Sequence, residues 1–304
     1  MVRVIATLAL VALLTAACTV NEPAEVVTST TVPTPVTTLP PPSTATTTSP
    51  ETSTSSATTT TTTEPVDFSC DVTAMTAIDG YTRGCEVLGL TILAGEAVDP
   101  SAVGGTAERV FHMLAQRPDL QDALVGAGLS GRVIAEDEPI TDLPEFTELY
   151  DQYPGTDWDR RGRSFPGTGL VPTFAGAEEN LRCLEGDRYE GEDEFVRSFA
   201  LTIKRFGLDA VDPATALAID QAYGRAIAQG LWENTLAEIN ADEYWMEGTQ
   251  SYFDANLEDT AEEREPNSEH NAVDTRVELE EYDGPLFTIA QSVYGDTEWR
   301  PTCS

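Results

Sequence analysis

Apolar and polar positions divide the chain into stretches of different texture. Residues 4–14 are apolar apart from Thr7, and residues 19–66 show no periodicity at all. Beyond them, 87–94 (VLGLTILA) is a short apolar run that predicts a buried strand, and 107–116 places Val110, Phe111 and Leu114 on one helical face. Pro118 and Asp119 restart a second short helix through Leu124, and 131–136 reads as a second strand. Residues 137–190 look loop-rich, with Gly155, Gly162, Gly167 and Gly169 as breakers and 180–184 as a short edge strand. From there the pattern turns helical. Phe195, Phe199 and Ile203 recur at i, i+4 and i+8 in a helix over 194–206, with Gly207 as its C-cap. Asp212 and Pro213 form an N-cap and first-turn pair that opens a helix to about Gln229. Further helices are expected over 242–256, carrying Tyr244, Trp245, Tyr252 and Phe253 as core, and over 285–294. No internal repeat is evident. The expected class is α+β: one domain over 67–304, with an α/β lobe at about 67–175 and a mainly helical lobe at about 176–304.

The first two stretches read as export and tether. Arg3, the apolar run and Thr15-Ala16-Ala17-Cys18 look like a bacterial lipoprotein signal, 1–18, with cleavage before Cys18 and lipid on its thiol. Such a protein is held through that lipid on the outer face of the membrane of a bacterial cell envelope. Residues 19–66 are dominated by Thr, Ser and Pro, with no aromatic residue, and read as a disordered tether that stands the domain off the surface.

The chain carries 17 Lys and Arg against 52 Asp and Glu, a formal charge of −35. That balance repels nucleic acid and anionic lipid, so no nucleic-acid partner is expected, and a monomer is. Besides Cys18 there are four cysteines, an even number that suits two disulfides in an exported domain. Three pairings are open. Cys70–Cys85 is favoured because a short loop closes at least entropic cost, which leaves Cys183–Cys303. No C-x-x-C occurs and neither histidine, His112 or His270, stands near a cysteine, which argues against a cysteine-zinc site.

Several stretches together resemble a family of secreted zincin-like proteins akin to the catalytic domain of anthrax lethal factor: AEDEPITDLPEF (135–146), DWDRRGR (157–163), AEENLRCL (177–184), NADEYWMEGTQSYFDAN (240–256), HNAVDTRVELEEYD (270–283) and EWRP (298–301). The resemblance implies a metallopeptidase-type fold over most of 70–304. In that family the window at 194–203 carries His-Glu-x-x-His, two zinc ligands and a general base on one helix. Here the first ligand falls on Arg197, the base on Ser198 and the second ligand on Leu201. The third ligand, a Glu from a later helix, falls on Glu243, which survives; a tyrosine that would stabilise the oxyanion falls on Leu236. Arginine offers no free lone pair and leucine no donor. The resemblance therefore implies a zincin-like scaffold without metal, cofactor or catalytic residues. A former cleft built from Trp158, Arg197, Glu243, Glu247 and His270 would hold a peptide or another envelope component.

Two other readings stand beside it. One is an altered hydrolase using Glu243, Glu247 or Ser198; the other is a purely structural envelope protein. His112, on an apolar-faced helix, reads as structural, and His270 as a loop anchor. The charges at 157–161 read as ion pairs holding their own loop. If Arg197 replaces the metal, its guanidinium is expected to pair with Glu243 within about 4 Å, linking the two helices.

Overall fold

The computed structural model describes residues 68–303 except 76, 77, 79, 157, 159–162 and 258–268. The export signal, Cys18, the tether and the charged positions around Trp158 lie outside the described residues. By contacts the chain divides at Thr61 and Thr62, and the architecture below is that of the second unit.

A six-stranded sheet forms its first half, in the order β1 (Thr73–Ala74), β2 (Arg83–Val87), β3 (Leu90–Ala94), β4 (Ser130–Ile134), β6 (Thr173–Ala177), β5 (Ser164–Phe165). β3, β4 and β6 run parallel, while β1, β2 and β5 are antiparallel to their neighbours. The apolar run 87–94 is thus not one strand. Leu88 and Gly89 take φ of 49° and 78°, a two-residue turn that folds the run into the β2–β3 hairpin. β6 was hidden in the stretch read as loop: its TFAGA sequence is buried throughout, yet Phe174 is its one large side chain. Gly176 leaves room for the Phe195 ring, which a Cβ there would meet at 2.6 Å. Residues 180–184 are not a strand; Glu178–Leu181 is a single helical turn.

Between β3 and β4 come α1 (Pro100–Leu114) and α2 (Pro118–Gly126). α1 begins seven residues before the apolar stripe that signals it, at an Asp99 N-cap whose side chain accepts from the Ser101 amide at 2.9 Å. After β6 the chain is helical: α3 (Glu194–Thr202), α4 (Pro213–Ala228), α5 (Ala241–Tyr252), α6 (Arg276–Tyr282) and α7 (Gly284–Tyr294). Gly207 is not a C-cap. α3 runs on into a π-helical segment, Ile203–Leu208, and a Cβ at Gly207 would meet Leu120 and Leu124 of α2 at 3.0 and 3.2 Å. α6, absent from the sequence reading, starts with a capping box between Thr275 and Glu278.

The sheet has two covered faces. Ile92, Val133 and Phe174 join Phe195 and Phe199 of α3 and the tightly packed Tyr244, Trp245, Tyr252 and Phe253 of α5 in the larger core. Leu93, Ile134 and Ala175 point the other way, into a smaller cluster with Phe146, Trp158 and Phe165. Two disulfides close loops of very different length, Cys70–Cys85 across 15 residues and Cys183–Cys303 across 120. Among the described residues no helix is long and apolar enough to cross a membrane.

Candidate functional site

α3 and α5 cross with a group of charged side chains buried between them. Asp193 caps α3 by accepting from the Val196 amide at 2.9 Å, which sets the helix phase that turns Phe195 and Phe199 to the sheet and Arg197 toward α5. On α5, Asn240 accepts from the Glu243 amide at 2.9 Å, and the Trp245 indole donates to the Ala200 carbonyl at 3.0 Å, tying the two helices together. Glu243 and Glu247, one turn apart, then face Arg197.

Arg197 is 4% exposed, with both terminal nitrogens bonded. One terminal nitrogen donates to Glu243 Oε2; the other donates to Glu247 Oε2 at 2.7 Å and to Gln250 Oε1 at 3.2 Å. Its Nε lies 3.8 Å from Glu194 Oε1. Glu247, fully buried, has its second oxygen held by His270 Nδ1 at 2.7 Å and Asn256 Nδ2 at 3.0 Å. His270 Nε2 in turn lies 3.4 Å from Glu192 Oε2. Ser164, at the start of the edge strand β5, donates to Glu194 Oε2 at 3.1 Å.

The protonation states follow from these contacts. Burial on its own would lower His270, but its bonds to Glu192 and Glu247 outweigh it and hold the imidazole protonated up to about 10. Burial would raise Glu247, yet the His270 bond and the Arg197 charge keep its carboxylate below the ordinary range. Burial also opposes the charge on Arg197, and Glu247, Glu194 and Glu243 more than offset it. Glu194 goes the other way: burial lifts its carboxyl to about 7, with Glu192 adding to the rise and Arg197 reducing it.

These residues do not fit a zinc ion. Glu243 and Glu247 converge on a guanidinium that has no lone pair, and Leu201, 5% exposed, offers no donor atom. Among the described residues no set of three or more His, Cys, Asp or Glu side chains is placed to hold a metal. Ser198 is no better placed as a nucleophile: its hydroxyl donates to the Phe195 carbonyl at 3.3 Å, one turn back on its own helix. Leu236 lies in a short 3-10 turn whose amide donates to the Glu269 carbonyl at 2.9 Å, beside His270.

Arg197, Glu243, Glu247 and His270 are thus brought together, but Trp158 is not. It sits in the cluster on the sheet face opposite α3, 6.0 Å centre to centre from the Tyr153 ring, because β5 and β6 separate it from the helix crossing. Glu192, Glu194, Gln250 and Asn256 complete the group: Glu194 opens α3 and Gln250 lies in the last turn of α5, while Glu192 and Asn256 reach it from the bend before α3 and the turn after α5. His112 is structural, stacked on Trp299 at 4.6 Å.

No family model matches the chain, and no curated protein matches it. Among solved structures it is similar to the Pro-Pro endopeptidase from Paenibacillus alvei, with 12% identity over 66% of this chain and 96% of that one, at a TM-score of 0.43. A likeness at that level decides neither the fold family nor the chemistry of this chain.

Proposed function

We propose that this chain is the lipid-anchored, extracytoplasmic relative of a zinc peptidase in which the metal has given way to an arginine, and that it binds a peptide or another envelope component without turning it over. The observation that carries the reading is the Arg197 guanidinium seated between Glu243 and Glu247, at the helix crossing where the resembled family places zinc. The zincin-like fold itself rests on the sequence stretches quoted above and on a mixed α+β architecture that is compatible with it. A guanidinium held between two carboxylates has no empty orbital with which to polarise a carbonyl as a Lewis acid or to activate water. The acidic surface disfavours nucleic acid and favours ligands carrying positive charge.

The test is binding without turnover. A ladder of labelled peptides, scored by fluorescence anisotropy and by mass spectrometry on the same samples, is expected to give saturable binding with every bound peptide intact. Cleavage of a bound peptide would overturn the reading in favour of an altered hydrolase. Absence of binding across basic, acidic and proline-containing peptides and envelope glycans would overturn it in favour of a structural role.

A further inference from the structure

The two disulfides differ in one respect that bears on chemistry. Cys70 is half-buried and Cys85 is 2% exposed, inside the main core, whereas Cys183 and Cys303 are both exposed. Both of the latter also line a cavity of about 200 Å³. Cys183 holds φ at 51°, a left-handed conformation that costs a non-glycine residue energy and that the surrounding structure must maintain. Exposed disulfides are the more easily reduced ones.

This disulfide closes the end of the segment 297–303, which Trp299 against His112 and Arg300 against Asp254 anchor further back, and the segment reaches the candidate site in two steps. The Thr302 carbonyl accepts from an Arg109 terminal nitrogen at 3.2 Å, and Arg109 Nε is paired with Asp193 Oδ2 at 2.6 Å, in a bridge where the side chains are 2% and 8% exposed. Asp193 is the N-cap of α3, the helix that carries Arg197. Cys183 follows the turn that contains Asn180, whose Oδ1 accepts from the Glu194 amide at 2.9 Å. Both ends of the disulfide therefore bear on the first turn of that helix.

We propose that Cys183–Cys303 is a redox-operated latch: a dithiol reductant opens it while Cys70–Cys85 stays closed, and opening loosens the first turn of α3 and with it the seat of Arg197. The step is a two-electron exchange. A thiolate of the dithiol attacks one sulfur to form a mixed disulfide and releases the other as a thiolate. The second thiol of the reductant then attacks the mixed disulfide, leaving two protein thiols and the reductant as a disulfide. The latch stands whether or not the site binds a peptide, so its failure and the failure of the binding reading are told apart by separate readouts.

The experiment is graded reduction of the whole exported protein with limiting dithiothreitol, followed by differential alkylation and mass mapping, with hydrogen exchange on the same samples. Cys183 and Cys303 are expected to be alkylated at least tenfold faster than Cys70 and Cys85, and exchange in the peptide covering 193–202 is expected to rise at that stage while the β2–β3 hairpin stays protected. Cys70 and Cys85 reacting first, or at the same rate, would overturn selectivity. Selective opening with unchanged exchange over 193–202 would overturn the coupling and leave a plain staple. C303S, which lacks the bond from the start, is expected to show the same raised exchange without reductant; a variant that fails to fold leaves the reduction series to decide.

Discussion

Replacing Arg197 with alanine removes the cation that bridges Glu243 and Glu247. The Arg197 and Glu247 side chains are 5% and 0% exposed, so water cannot take over the lost interaction, whereas Glu243, 30% exposed, can turn toward solvent. Breaking a buried pair by deleting one partner costs about 3–5 kcal/mol, because the other charge is stranded. Glu247 keeps its bonds to His270 and Asn256, which places the expected loss at the lower end, about 3 kcal/mol. For a domain of this size that is a drop in melting temperature of about 6–12 °C. Urea unfolding of R197A against the parent is the assay, with a lower midpoint and an unchanged slope expected. R197K is expected to recover only part of the loss, since a point charge cannot fork between two carboxylates. Combining R197M with E247Q is expected to cost less than the sum of the two single changes, because the fully buried carboxylate that R197M strands is then gone. An R197A variant within about 0.5 kcal/mol of the parent, the range of a surface substitution, would refute the idea that Arg197 holds the crossing together.

Three further outcomes follow from the same geometry. Glu194 holds its proton to about 7 when folded and to its ordinary, lower value when unfolded, so the folded state binds more protons in between and stability declines as pH rises through that window, by up to about 1.4 kcal/mol per unit; melting curves from pH 5 to 6.5, below the range where His270 adds a decline of its own, are expected to show a decline that E194Q flattens, and equal slopes would contradict the assignment. A Cβ on Gly131 would lie 2.5 Å from the Phe174 ring and 2.6 Å from Ile92, so G131A is expected to destabilise by about 1–3 kcal/mol in urea, and a neutral result would mean that the β4 face is looser than described. C18S is expected to release the protein to the medium or leave it unprocessed in fractionated cells, whereas normal processing with membrane retention would contradict lipid anchoring.

How far the sequence reached depended on whether the signal was local. Asp212 with Pro213 announced α4 because cap and first turn are fixed by neighbouring residues. Asp99 with Pro100 is the same device, but the SAVGGTA that follows lacks the large apolar stripe that marks a helix, and its small side chains are buried by tertiary contact instead. The β2–β3 hairpin was missed because its left-handed pair includes Leu88, an uncommon choice for that position. β6 carries too little apolar volume to read as a strand, and its burial comes from α3 packing over Gly176 on one face and the Phe146 cluster on the other. At the site, the pairing of Arg197 with Glu243 was legible because the resemblance set a cation and a carboxylate at facing positions of two helices. Glu192 and Asn256 were not, since only the folded course of the chain around α3 and α5 brings them to His270 and Glu247. Trp158 was placed wrongly because a motif in sequence carries no information about which face of a sheet it covers.

The most direct test of the central claim is metal analysis of the purified, untagged protein, titrated with zinc and monitored for casein turnover with and without a chelator. With Arg197 seated between Glu243 and Glu247, zinc is expected to stay far below one equivalent, and neither zinc nor chelator is expected to change a background level of turnover. One equivalent of tightly bound zinc with chelator-sensitive proteolysis would contradict the replacement of the metal by Arg197.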